Sequence, residues 1–78
     1  MRLRLARMRS SHQVYAFTDD GRIAGPLPPS AWSVDGGRTP RSDWANAVRF
    51  YGFENDTQQL AVASAWWTLI AETQVAGV

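Results

Sequence analysis

Cysteine is absent from these 78 residues, which excludes disulfides and thiolate metal sites and leaves no argument for an oxidising compartment. Histidine occurs once, as His12, with no His-x-x-x-His or Glu-x-x-His spacing around it, so the usual patterns for metal ligation and acid–base work are missing. No apolar run reaches the ~20 residues of a membrane-spanning helix. The longest candidate, residues 60–71, is interrupted by Ser64 and Thr68. Residues 1–9 alternate Arg with apolar side chains and never open into the apolar stretch of a secretory signal, so a cytoplasmic location is expected. Lysine is missing too. All eight basic residues are Arg, whose planar fork of donors suits carboxylates, phosphates and aromatic faces.

What is present is apolar and aromatic. Hydrophobic residues make up 45% of the chain and four are Trp. A chain of this size buries only about 60% of its unfolded surface, so these large side chains must supply most of a thin core. The length allows one domain over residues 1–78, and a net charge of +1 confines any basic binding surface to a local patch.

Residues 1–9 fit a strand at period two, with one parity slip between Leu5 and Ala6 that a bulge would absorb. Val14, Tyr15 and Phe17 form a second strand over 13–18, and Asp20-Gly21 supplies the positive φ of a hairpin turn. A short third strand, 22–25, is expected to stop at Pro26, which closes the strand region 1–26. Residues 27–39 read as a loop in which Trp32 folds back onto the core, the order of its 35–38 stretch being open. Trp44, Ala47, Val48 and Tyr51 recur at helical spacing, with Thr39 or Ser42 as cap and Gly52 as stop, which predicts a helix over 40–52. A second helix is predicted over 56–74, capped by Asn55 or Asp56. Its apolar residues, among them Leu60, Trp66, Trp67, Leu69 and Ile70, spread over most of the circumference. The expected fold class is therefore α+β: a small antiparallel three-stranded sheet followed by two helices packed on one face. A helix so widely apolar also predicts a homodimer contact through Trp66, Trp67 and Ile70, with 75–78 beside it.

No catalytic set emerges, and no cofactor is expected. Ser10-Ser11-His12 has adjacency without a third orienting group, Asp19-Asp20 reads as turn chemistry, and Gly36-Gly37 lacks the residues of a phosphate loop. The best candidate surface is the ladder Arg2, Arg4, Arg7 and Arg9, with no acid among them and Asp19 and Asp20 at the adjoining turn. Alternate side chains of a strand stand ~7 Å apart, a spacing that meets an acidic strip on a protein or successive phosphates; the plainer account is a solvated strand face that discourages edge pairing. The expectation is a non-enzymatic module with a protein partner, and a nucleic-acid binder using the same Arg residues is the alternative. In its size, compact α+β pattern and lack of catalytic motif the chain resembles the small inhibitors carried by phages and mobile elements against bacterial defence complexes, the anti-CRISPR class. That resemblance implies stoichiometric binding that covers a partner's surface.

Overall fold

The computed structural model describes residues 1–55 and 66–75. Among them the chain forms β1 (Arg2–Met8), β2 (Val14–Thr18), β3 (Arg22–Leu27), α1 (Pro29–Trp32), α2 (Trp44–Val48), β4 (Glu54–Asn55) and β5 (Trp67–Gln74). The strands make one antiparallel sheet in the order β4-β3-β2-β1-β5, so the N-terminal strand sits inside and the last strand at an edge. This corrects the expected three-stranded sheet followed by two helices: the sheet has five strands, and the two helices are single turns inserted between β3 and β4.

The hairpin of β2 and β3 forms as its composition predicts. Its loop is Asp19-Asp20-Gly21, closed by the Gly21 amide donating to Thr18 O at 3.4 Å, with only Gly21 at positive φ. That is the three-residue loop in which glycine takes the left-handed position after a tight turn. β3 does not stop at Pro26. It continues to Leu27 through a register shift opposite Tyr15, and because β4 pairs only with Arg22 and Ile23, Pro26 lies where the ladder needs no donor.

The helix expected over 40–52 contracts to Trp44–Val48. Pro40 pairs with Ser33 instead of opening the helix, Asp43 takes the cap position, and Tyr51 lies beyond the helix on the surface. Of the helix expected over 56–74, residues 56–65 lie outside the described residues, and Trp67–Gln74 is strand. The reason is local: Thr68, Ile70, Thr73 and Val75 are β-branched, and from Ala71 to Val75 burial alternates at period two. Within Trp67–Gln74 the apolar residues that fit a helix buried all round belong to a strand with apolar residues on both faces.

The core lies on one face of the sheet. Leu3 and Leu5 of β1, Val14 and Ala16 of β2 and Leu27 of β3 are covered by Trp32, Trp44 and Val48, and Trp32 is 1% exposed. The 33–39 connection, whose order the sequence left open, is organised by one carboxylate. Asp35 accepts hydrogen bonds from the Ser33 hydroxyl, the Arg38 and Thr39 amides and the Thr39 hydroxyl, at 2.7 to 3.0 Å.

Candidate binding surface on strands β1 and β5

β1 alternates regularly against β2, which puts Leu3 and Leu5 on the covered face and Arg2, Arg4 and Ala6 on the opposite one. The shift expected near Leu5 and Ala6 falls between β1 and β5: Leu5 pairs with Ala71 and Ala6 with Leu69, so Ile70 is the extra residue. Ile70 consequently turns to the core, while Leu69 and Glu72 share the open face with the Arg residues.

The four Arg residues therefore do not form one ladder. Arg4 sits opposite Glu72 and donates Nε to its carboxylate at 3.0 Å, and Arg2 Nε approaches the other Glu72 oxygen at 3.7 Å. Arg7 points to the covered face and donates to Gly37 O at 2.9 Å, helping to hold the 33–39 loop against the sheet. Arg9 lies past the strand end and reaches the Thr68 hydroxyl at 3.3 Å. The two turn carboxylates also separate. Asp19 accepts from the Arg2 amide and joins the β1 end of the surface, whereas Asp20 turns to the Thr18 hydroxyl and Arg22. Those contacts, the Thr18 hydroxyl first, hold the Asp20 carboxyl below its ordinary pKa.

Trp66, Trp67 and Ile70, expected on one helix, point three ways. Trp67 stands half-buried on the open face, edge-on to Tyr15 and Phe17 with ring centroids 5.2 and 4.6 Å away. Ile70 meets the core, and Trp66 is 59% exposed just before β5 begins. Leu69, 58% exposed, lies beside the Arg4–Glu72 pair. The face bearing Tyr15 and Phe17 lies opposite the main core.

What assembles is a mixed strip on the open face, Arg2, Arg4 and Asp19 with Glu72 and Leu69, while Arg9 reaches Thr68 on the side to which Arg7 points and the exposed Trp66 precedes β5. Sequence reasoning missed Leu69 and Glu72 because both fall in the predicted helix, and the β-branched residues Thr68, Ile70, Thr73 and Val75 around them are the signal for a strand. Among the described residues no strand pairs with the outer side of β5, whose main-chain donors and acceptors face outward. No group of three or more metal-ligating side chains occurs among the described residues, and no helix there is long and apolar enough to cross a membrane. Comparison of the chain with protein-family models, curated proteins and solved structures finds no match.

Proposed function

We propose that this chain is a non-catalytic protein-binding module that docks its partner along the outer edge of β5 in the cytoplasm. The observation that carries the reading is the exposure of Leu69 on β5 and of Trp66 just before it, along an edge that no strand covers among the described residues, with Arg2 and Arg4 on the same face as Leu69. Trp and Arg are the residues that dominate interface energetics, and a free edge adds main-chain hydrogen bonds to an extended partner segment. Nucleic acid is the weaker occupant: Arg2 and Arg4 share the Glu72 carboxylate and Arg7 faces the other way, so these Arg residues do not form one row along a phosphate backbone. The resemblance to anti-CRISPR inhibitors directs the search for the partner to bacterial defence complexes, where the module would act by occupying a surface.

The test is capture from bacterial lysate on immobilised protein, with and without nuclease, comparing the native chain with a Trp66→Ser, Leu69→Ser variant. The expected result is a discrete polypeptide that survives nuclease and is lost with the variant. Bound nucleic acid that vanishes on nuclease treatment, or a polypeptide retained equally by the variant, overturns the reading. A native mass of two chains at tens of micromolar, returning to one chain in the variant, would give the edge to a second copy instead.

A further inference from the structure

A cleft of about 210 Å³ opens at the end of the sheet between the covered face and α2, next to the C-terminal end of β5. Leu3 and Val75 form its sheet side, and Ala45 and Phe53 form the wall opposite. Two Arg residues line the same space, Arg22 from β3 and Arg49 from the end of α2. Ala45 and Arg49 are four residues apart, which stacks them on one side of the short helix. The cleft is thus apolar over most of its wall and carries positive charge from two separate elements.

The charge there is only partly balanced. Arg22 uses Nε on Asp20 at 3.2 Å and one terminal nitrogen on the Met1 sulfur at 3.5 Å, a weak acceptor, so other donors of its fork remain. Among the described residues no carboxylate comes within ion-pair distance of Arg49. The Thr18 hydroxyl, also at the cleft, is engaged by Asp20 and the Arg22 amide and adds no demand of its own. An apolar cavity of about 150 Å³ accommodates benzene. A space of 210 Å³ with Arg donors therefore suits one ring or a short alkyl chain bearing a single anionic head. A bare inorganic anion would leave the apolar walls unfilled, and a neutral hydrocarbon would leave the guanidinium groups unanswered.

We propose that this cleft binds a small amphipathic monocarboxylate, its apolar body against Leu3, Ala45 and Phe53 and its carboxylate on Arg49 and Arg22. The site is independent of the β5 surface, so either assignment stands or falls without the other.

The test is titration of the isotope-labelled full chain, followed by amide resonances, with 3-phenylpropionate, its neutral alcohol 3-phenylpropanol, and inorganic phosphate. The acid is expected to saturate with Kd on the order of 1 mM, as befits a ligand of this size, with shifts centred on Leu3, Ala45, Arg49 and Phe53. The alcohol and phosphate should each bind at least ~10-fold more weakly, the step set by ~1.4 kcal/mol. Arg49→Gln, at an exposed position, should weaken the acid by a similar factor while leaving the remaining spectrum unchanged. Ala45→Leu should block the cleft. Failure of the acid to saturate, equal binding of acid and alcohol, equal binding of acid and phosphate, or indifference to both substitutions overturns the proposal.

Discussion

The two faces of the sheet use aromatic side chains differently. On the covered face, Trp32 and Trp44 close over Leu3, Leu5, Val14 and Ala16, and every one of these residues is buried. On the open face, Tyr15, Phe17 and Trp67 meet edge to face, Phe17 buried and the other two half-exposed, with Arg2, Arg4 and Glu72 beside them. The covered face converts aromatic area into stability; the open one leaves part of its aromatic area in solvent. The sharpest way to break that contrast is Trp32→Ala. Removing a Trp that is 1% exposed should cost about 3–5 kcal/mol, a large part of what a small domain has, and abolish or greatly weaken the cooperative denaturant transition. A loss below about 1 kcal/mol would mean that the covered face is not where the fold is held.

A smaller effect is expected from Gly25, which lies against the open-face ring of Tyr15. Its φ of +140° is open only to glycine, and a Cβ there would lie 2.6 Å from the Tyr15 ring. The ring therefore lies directly over the backbone at the bulge of β3. Gly25→Ala should cost about 1–3 kcal/mol by strain and overpacking, and should alter the Tyr15 and Trp67 ring resonances before those of Trp44. Equal disturbance of both sets would show that the open-face cluster is not a separate unit.

How far the sequence discloses this arrangement depends on which force decides each element. The hairpin is legible because Gly21 and the β-branched and aromatic residues of β2 act locally. The slip at Leu5 and Ala6 shows in the sequence as a change of apolar parity, but β1 itself alternates regularly, with Ala6 buried on the open face, and the extra residue belongs to β5 as Ile70. The last strand was misread for a physical reason. A strand with Trp67 and Leu69 on one face and Ile70 and Ala71 toward the other has no polar side, and at period 3.6 the same residues imitate a helix apolar all round. The helix over 40–52 was overextended because Tyr51 continued a spacing that the chain abandons after Val48. The Arg ladder was legible as four cations and illegible as a surface, since their partners Glu72, Gly37 and Thr68 are distant in sequence. Asp35 escaped notice because a loop carboxylate declares itself only through the amides that gather on it.

That carboxylate gives the smallest and most local of the expected effects, and it bears on the covered face alone. Hydrogen bonds from the Thr39 amide and hydroxyl, then from the Arg38 amide and Ser33, hold the Asp35 carboxyl down to about 2 from its ordinary 3.8. A depressed carboxylate contributes fully above its unfolded value and loses that contribution as pH falls through its folded value, so the window runs from about 4 to about 2. Asp20 and Asp43 are also held below their ordinary values, chiefly by the Thr18 hydroxyl and by Arg41, so some general loosening shares the same direction. The 33–39 loop should nonetheless respond first, because Asp35 anchors several of its groups at once and Arg7 grips the same loop at Gly37. Amide exchange at Arg38 and Thr39 should accelerate across that window relative to Ala16 and Leu5 in the sheet. Asp35→Asn keeps an acceptor oxygen but cannot titrate, so it should flatten the pH dependence of those two amides while leaving β2 unchanged. If Arg38 and Thr39 stay protected down to pH about 2, or if the Asn variant keeps the native pH profile, the loop is held by Ser33–Pro40 pairing and the Arg7 contact instead of by its carboxylate.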